Sequence, residues 1–117
     1  MITHSKLVKA LVKDGAEILR EMTHLDAHML HMAVGVSGEA GELLDAIKKV
    51  AIYRRAIDRE NVIEELGDLE FFMEGLRQGF GITRKETIKA NIKKLSVRYA
   101  AGKYSNEQAA IRADKSK

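Results

Sequence analysis

The sequence contains no cysteine, no proline and no tryptophan. The lack of cysteine excludes disulfides, Cys-ligated zinc, iron–sulfur clusters and thiol catalysis. The lack of proline favours a chain made almost entirely of helices with short connections. Aromatic residues are only 5% of the chain, which weakens any case for nucleic-acid binding by base stacking. What remains is 45% hydrophobic and 32% charged, which is typical of a globular protein.

Length and the distribution of apolar residues limit the architecture further. A chain of 117 residues fits one domain at most, so we expect residues 1–117 to form a single all-α domain. Charged residues interrupt every apolar run in the first 22 positions, which leaves no stretch of signal-peptide length and none that could span a membrane. We therefore expect a cytoplasmic protein with no membrane partner.

Apolar residues recur at helical spacing through most of the chain. This periodicity predicts four helices, over about residues 5–21, 25–52, 58–79 and 83–100, arranged as a four-helix-bundle-like fold. The glycines at positions 35, 38 and 41 either break the second helix or allow another backbone to approach. The tail, about residues 101–117, is polar and basic, and we expect it to be irregular.

Charge is distributed unevenly along the chain. Residues 1–83 contain 10 basic and 14 acidic residues, a net charge of −4, whereas residues 84–117 contain 10 basic and 3 acidic residues, a net charge of +7. A basic tail on an acidic body can indicate a non-enzymatic helical module that binds nucleic acid or an acidic partner. It can equally indicate a metal–carboxylate centre that faces a phosphate-binding segment.

Two carboxylate pairs favour the second interpretation. Glu39 and Glu42 lie three residues apart beside the apolar stripe of the second predicted helix, and Glu65 and Asp68 do the same on the third. A short connection makes these helices antiparallel neighbours, so all four carboxylates can meet. Four uncompensated anions together would be strongly unfavourable. Carboxylate oxygens suit Mg²⁺, with Mn²⁺ as a possible substitute.

The last predicted helix carries a complementary feature. Asn91, Lys94 and Arg98 share one stripe beside its apolar residues. An amide, an ammonium and a guanidinium so arranged suit a triphosphate, although a solvated basic face has the same pattern. Lys49, at the end of the carboxylate stripe of the second helix, is a further candidate for phosphate binding.

The same residues resemble a known family, the MazG-like, all-α nucleoside triphosphate pyrophosphohydrolases, and most of all its compact, single-domain phage-type and bacterial members. Residues 38–43 (GEAGEL) and 64–69 (EELGDL) resemble its ExxE…ExxD signature, and residues 91–99 (NIKKLSVRY) resemble its NxxKLxxRY segment. The similarity extends over about residues 25–112. One departure is Ala100, where family members often have proline.

This resemblance implies cleavage of a (deoxy)nucleoside triphosphate between its α and β phosphates. Mg²⁺ would be held by Glu39, Glu42, Glu65 and Asp68, which would also be the catalytic residues. The phosphates would be bound by Asn91, Lys94 and Arg98, with Lys49 assisting. No nucleic-acid partner is then expected.

Two apolar residues off the main stripe and three regularly spaced histidines are further features of the sequence. Ile63 and Phe71 lie off the apolar stripe of their helix, which together with the resemblance indicates a homo-dimer or homo-tetramer. His24, His28 and His31 can share one helix face. A transition-metal bundle would require matching histidine and glutamate pairs on other helices, so a structural, packing or substrate-lining role is favoured for these three.

Overall fold

The computed structural model describes residues 1–115, in which every regular element is helical. The helices are α1 His4–Leu11, α2 Gly15–Glu21, α3 His24–Ala51, α4 Arg59–Phe80, α5 Arg84–Arg98 and α6 Asn106–Ile111, followed by a 3-10 turn at Ala113–Lys115. The predicted all-α fold is confirmed. Within the described part of the chain, no helix is both long enough and apolar enough to cross a bilayer.

Polar side chains define where the long helices begin. Thr23 accepts a hydrogen bond from the Asp26 backbone N–H and Asp26 returns one from the Thr23 N–H, at 3.0 Å each, which forms a capping box before α3. Asp58 caps α4 and Thr83 caps α5, and both are residue types that favour the N-cap position. Gly81 ends α4 with φ +68°, a left-handed conformation that favours glycine.

Two local predictions differ from the structure, and one open alternative is decided. The first predicted helix is two helices, because Asp14 caps a new start by accepting from the Ala16 N–H. The second predicted helix, for which a break and a close approach were both open, is continuous, and α3 runs for 28 residues. The tail is not wholly irregular, because Ser105 caps the short helix α6.

The two longest helices, α3 and α4, pack against each other as an antiparallel hairpin, and Met32 and Ala46 are its buried apolar residues. Small residues allow the close approach. A Cβ atom at Gly35 of α3 would overlap the ring of Phe72, and one at Gly75 of α4 would overlap the Met32 side chain. This close packing sets the register of the two helices.

The remaining helices do not pack extensively on this hairpin. Helix α5 instead packs against the 3-10 turn and α6. The radius of gyration is 20.0 Å, whereas a compact chain of this length has about 13 Å. The accessible surface is 9810 Å², against about 6,400 Å² for a compact monomer of this mass. A single copy therefore leaves an unusually large surface uncovered.

Candidate metal and phosphate site

Three carboxylates come together where α3 and α4 face each other. Glu39 of α3 and Glu65 and Asp68 of α4 each offer an oxygen, and these oxygens lie within 4.8 Å of one another. Glu39 and Glu65 are half-buried and Asp68 is exposed. The antiparallel hairpin thus brings residues from the two predicted pairs into one group, open to solvent on the Asp68 side.

The surroundings of Glu65 disfavour the charged form of its carboxyl group. Burial raises the pKa of Glu65, and the neighbouring carboxylates of Glu39, Glu42 and Asp68 raise it further. One of its oxygens, Oε2, is buried and accepts no hydrogen bond from any described residue. A buried acceptor without a donor is unfavourable. A cation bound among these oxygens would satisfy it.

Glu42, the fourth predicted ligand, lies outside the group of three. It is exposed and lies on α3 three residues after Glu39. Its charge still acts on Glu65, whose pKa it helps to raise. Glu42 therefore lies at the edge of the carboxylate cluster.

Lys49 lies further along α3, toward the connection with α4. Its Nζ is 3.2 Å from an oxygen of Asp45, and both side chains are about half exposed. Lys49 also lines a cleft of about 210 Å³, together with Arg55 and Asn61. An exposed ion pair of this kind is weak, so Lys49 can exchange Asp45 for another anion.

The predicted phosphate-binding residues of α5 are not brought to the carboxylates in the same way. Asn91 and Lys94 are exposed on a helix that does not pack extensively on the hairpin. Arg98 is occupied by Asp114, because its Nε donates to Oδ1 at 2.7 Å and its Nη2 to Oδ2 at 3.3 Å. This pairing lowers the pKa of Asp114.

Sequence reasoning missed two of these residues. Asp114 lies in the tail that was expected to be irregular, and one acidic residue among basic ones signals no partner. Arg55 lines the cleft beside Lys49, and the only hint of this in the sequence is the basic character of the connection between α3 and α4.

Two of the three histidines of α3 contact α4 in the structure. The Nε2 of His28 lies 2.9 Å from the carbonyl oxygen of Gly75, which means that Nε2–H donates. The ring of His31 meets Phe72 edge to face, with centroids 6.3 Å apart. Among residues 1–115, no histidine belongs to a cluster of three or more side chains that could hold a metal.

Comparison with known proteins agrees with the motifs around these carboxylates. Residues 28–101 match the MazG nucleotide pyrophosphohydrolase domain. The chain belongs to this family. The matched range includes α4, most of α3 and all of α5, and so spans both the carboxylate cluster and the basic helix. No curated protein and no solved structure matches the chain significantly.

Proposed function

We propose that the chain is a Mg²⁺-dependent nucleoside triphosphate pyrophosphohydrolase. It cleaves a (deoxy)nucleoside triphosphate between the α and β phosphates and releases the monophosphate and pyrophosphate. The observation that carries this proposal is the group of Glu39, Glu65 and Asp68, whose oxygens lie within 4.8 Å of one another. This group falls inside the range that matches the nucleotide pyrophosphohydrolase domain.

The donor set fits a hard divalent cation. All three donors are carboxylate oxygens, which suit Mg²⁺ and Mn²⁺, and the buried Oε2 of Glu65 has no other partner among the described residues. Glu39, Glu65 and Asp68 would hold the ion. When bound, it would offset the charge of the triphosphate and polarise the phosphate oxygens.

Glu42 is the residue that we assign to proton transfer. It is exposed beside the cluster but outside the group of three, so its carboxylate is free to accept a proton. A water molecule transfers this proton to Glu42 as its oxygen bonds to phosphorus. The bond from phosphorus to the oxygen that bridges the α and β phosphates breaks, which yields the two products.

The phosphate-binding residues come from two places. Lys49 belongs to the hairpin itself. Asn91, Lys94 and Arg98 belong to α5, which in one copy does not pack extensively on the hairpin. We therefore assign the α5 residues to the carboxylate cluster of a second copy, where they stabilise the negative charge that develops on the phosphates. For Arg98 this requires that the phosphates replace Asp114 as its partner.

The uncovered surface supports such an oligomer. The accessible surface of 9810 Å² exceeds that of a compact monomer by roughly 3,400 Å². Obligate homodimers bury about 2,000–5,000 Å² in total, or about 1,000–2,500 Å² on each copy, so the surplus on one copy is more than enough for such an interface. Many large apolar side chains are exposed on this uncovered surface, including Leu30, Val34, Leu44, Phe71 and Ile92. A homo-dimer or homo-tetramer would cover them.

Product analysis tests the activity. The protein is incubated with Mg²⁺ and each of the common NTPs and dNTPs, and ³¹P NMR identifies the products. We expect at least one substrate to give monophosphate and pyrophosphate, with no reaction in EDTA. Orthophosphate as the only product, or no product from any substrate, would contradict the proposal.

A matched pair of variants ties the activity to the cluster. Glu65→Gln should abolish pyrophosphate release. Glu70→Gln, on the same helix but in contact with Arg77 at 3.6 Å, should not. Equal activity in both variants would show that the cluster is not the site.

A further inference from the structure

One face of α4 carries apolar side chains that the rest of the described chain leaves uncovered. Ile63, Gly67 and Phe71 follow at i, i+4 spacing and form one stripe. Ile63 is 52% exposed and Phe71 67% exposed. We call this stripe the α4 outer face.

The glycine in this stripe has no explanation within a single copy. A Cβ atom at Gly67 would meet no atom within 4 Å. Glycine inside a helix is unfavourable relative to alanine, so a glycine that nothing approaches weakens α4 for no local benefit. Between Ile63 and Phe71 it leaves a notch that can accept a side chain from another helix.

The α4 outer face is bordered by negative charge. Glu60 and Glu64 lie beside the stripe on the helical wheel, and both are exposed. Neither forms an ion pair with a basic residue of the described chain. The face therefore combines an apolar centre, a notch and unpaired carboxylates.

Helix α5 carries the opposite combination. Ile88, Ile92 and Leu95 form an exposed apolar stripe. A groove of about 460 Å³ on this side of the helix is lined by Arg84, Lys85, Ile88, Lys89 and Ile92. The three cations form no ion pair with an acidic residue among residues 1–115. We call this the α5 face.

Charge distinguishes the α4 outer face from the uncovered side of α3. The outer side of α3 exposes Leu30, Val34 and Leu44, but its neighbouring charges are Lys48 and the paired Asp45 and Lys49, so it offers no excess of carboxylates. The basic α5 face is complementary to the acidic border of α4 and not to α3.

We infer that the α5 face of one copy docks on the α4 outer face of a second copy. Each copy presents one of each face, so two copies related by a two-fold axis would form the contact twice, and the inference includes this closed two-fold dimer. The inference rests on the oligomer in the proposed function and names its surfaces. Glu64 and Gly67 directly precede Glu65 and Asp68, so the docked α5 lies along the helix that carries two cluster residues.

Charge reversal on each face provides the test. One variant carries Glu60→Lys with Glu64→Lys, and the other carries Lys85→Glu with Lys89→Glu. Each variant alone opposes like charges at both contacts, so we expect at least a tenfold weaker self-association. When the two are mixed, both contacts of the heterodimer again join opposite charges. Native mass spectrometry should therefore show the heterodimer in more than tenfold excess over either homodimer.

A control variant also replaces two lysines by glutamates, but at positions outside the α5 face, one on α5 and one in the 3-10 turn. Lys93→Glu with Lys115→Glu alters the cleft on another side of α5, and this variant should self-associate like the wild type. Circular dichroism establishes that all variants are helical. Wild-type self-association in both reversed variants, or a statistical distribution in their mixture, would overturn the inference. If the wild-type protein is a monomer at every concentration, the proposed oligomer itself is wrong. The product analysis tests the enzymatic activity separately, whatever the outcome of these association measurements.

Discussion

The α3–α4 hairpin and the segment that begins at α5 differ in charge, packing and role. The hairpin range, residues 24–80, has 11 acidic and 6 basic residues, a net charge of −5, whereas α5 has 6 basic and 1 acidic residue, a net charge of +5. The hairpin packs tightly on itself and gathers the carboxylates. Helix α5 packs on the chain's own C-terminal turn instead. The two halves of the proposed metal–phosphate site thus lie on separate parts of one copy.

Removing a cluster carboxylate should have the largest effect. Because even residues that only orient metal ligands contribute about 10- to 100-fold to affinity or activity, Glu65→Gln should lower kcat/KM by at least about 100-fold and weaken Mn²⁺ binding measured by EPR. Glu42→Gln should lower kcat while Mn²⁺ binding stays near the wild-type value. If Glu42→Gln weakened Mn²⁺ binding as much as Glu65→Gln, Glu42 would be a fourth ligand.

Filling the close contact in the hairpin should destabilise it. Gly35→Ala places a methyl group where the Phe72 ring lies, and overpacking of this kind costs about 1–3 kcal/mol. Gly38→Ala is the control, because a Cβ atom there meets nothing within 4 Å and alanine favours the helix by up to about 1 kcal/mol. Urea denaturation measures both. Equal effects would show that Gly35 does not set the helix spacing.

Removing the ion pair between Arg98 and Asp114 should destabilise residues 84–115 but not the α3–α4 hairpin. Asp114→Asn removes the carboxylate that both donors of Arg98 contact. Hydrogen exchange should then accelerate in residues 84–115 and remain unchanged in α3 and α4. Faster exchange throughout the hairpin would contradict the separation of the two regions.

The same pair predicts a pH dependence. Since Arg98 lowers the pKa of Asp114 in the folded state, the pair stabilises the protein above the unfolded pKa of aspartate, near pH 4. This contribution is lost as pH falls through the lower, folded pKa. The melting temperature of Asp114→Asn should therefore fall less than that of the wild type as pH drops below about 4.

Removing a helix cap should have the smallest effect. Thr23→Ala removes the side-chain acceptor of the capping box and should lower the free energy of unfolding by about 1 kcal/mol. Its counterpart Thr83→Ala removes the cap of α5. Hydrogen exchange should accelerate at the start of α3 in the first variant and at the start of α5 in the second. The same response in both helices would show that the two regions open together.

The sequence predicted what depends on local pattern. The all-α class follows from periodicity, and the caps at Asp58 and Thr83 follow from residue type. The group of Glu39, Glu65 and Asp68 follows from two i,i+3 pairs on antiparallel helices. The roles of these residues in catalysis remain predictions.

What the sequence missed depends on contacts between distant residues. The pairing of Arg98 with Asp114 needs the tail to fold back on α5, and no short motif signals this. Gly35 was ambiguous because a helix break and a close approach use the same residue, and only the position of Phe72 decides between them. Periodicity predicts the apolar stripe of α5 but not which copy covers it.

Complementation between two inactive variants tests most directly whether one site combines the two regions from different copies. Glu65→Gln and Lys94→Ala are prepared separately, refolded as a mixture and assayed for Mg²⁺-dependent pyrophosphate release. In a randomly mixed two-fold dimer, half of the dimers are mixed and each has one intact site, so we predict about one quarter of the wild-type activity. If the mixture is as inactive as either variant alone, although mass spectrometry shows mixed dimers, the account is contradicted.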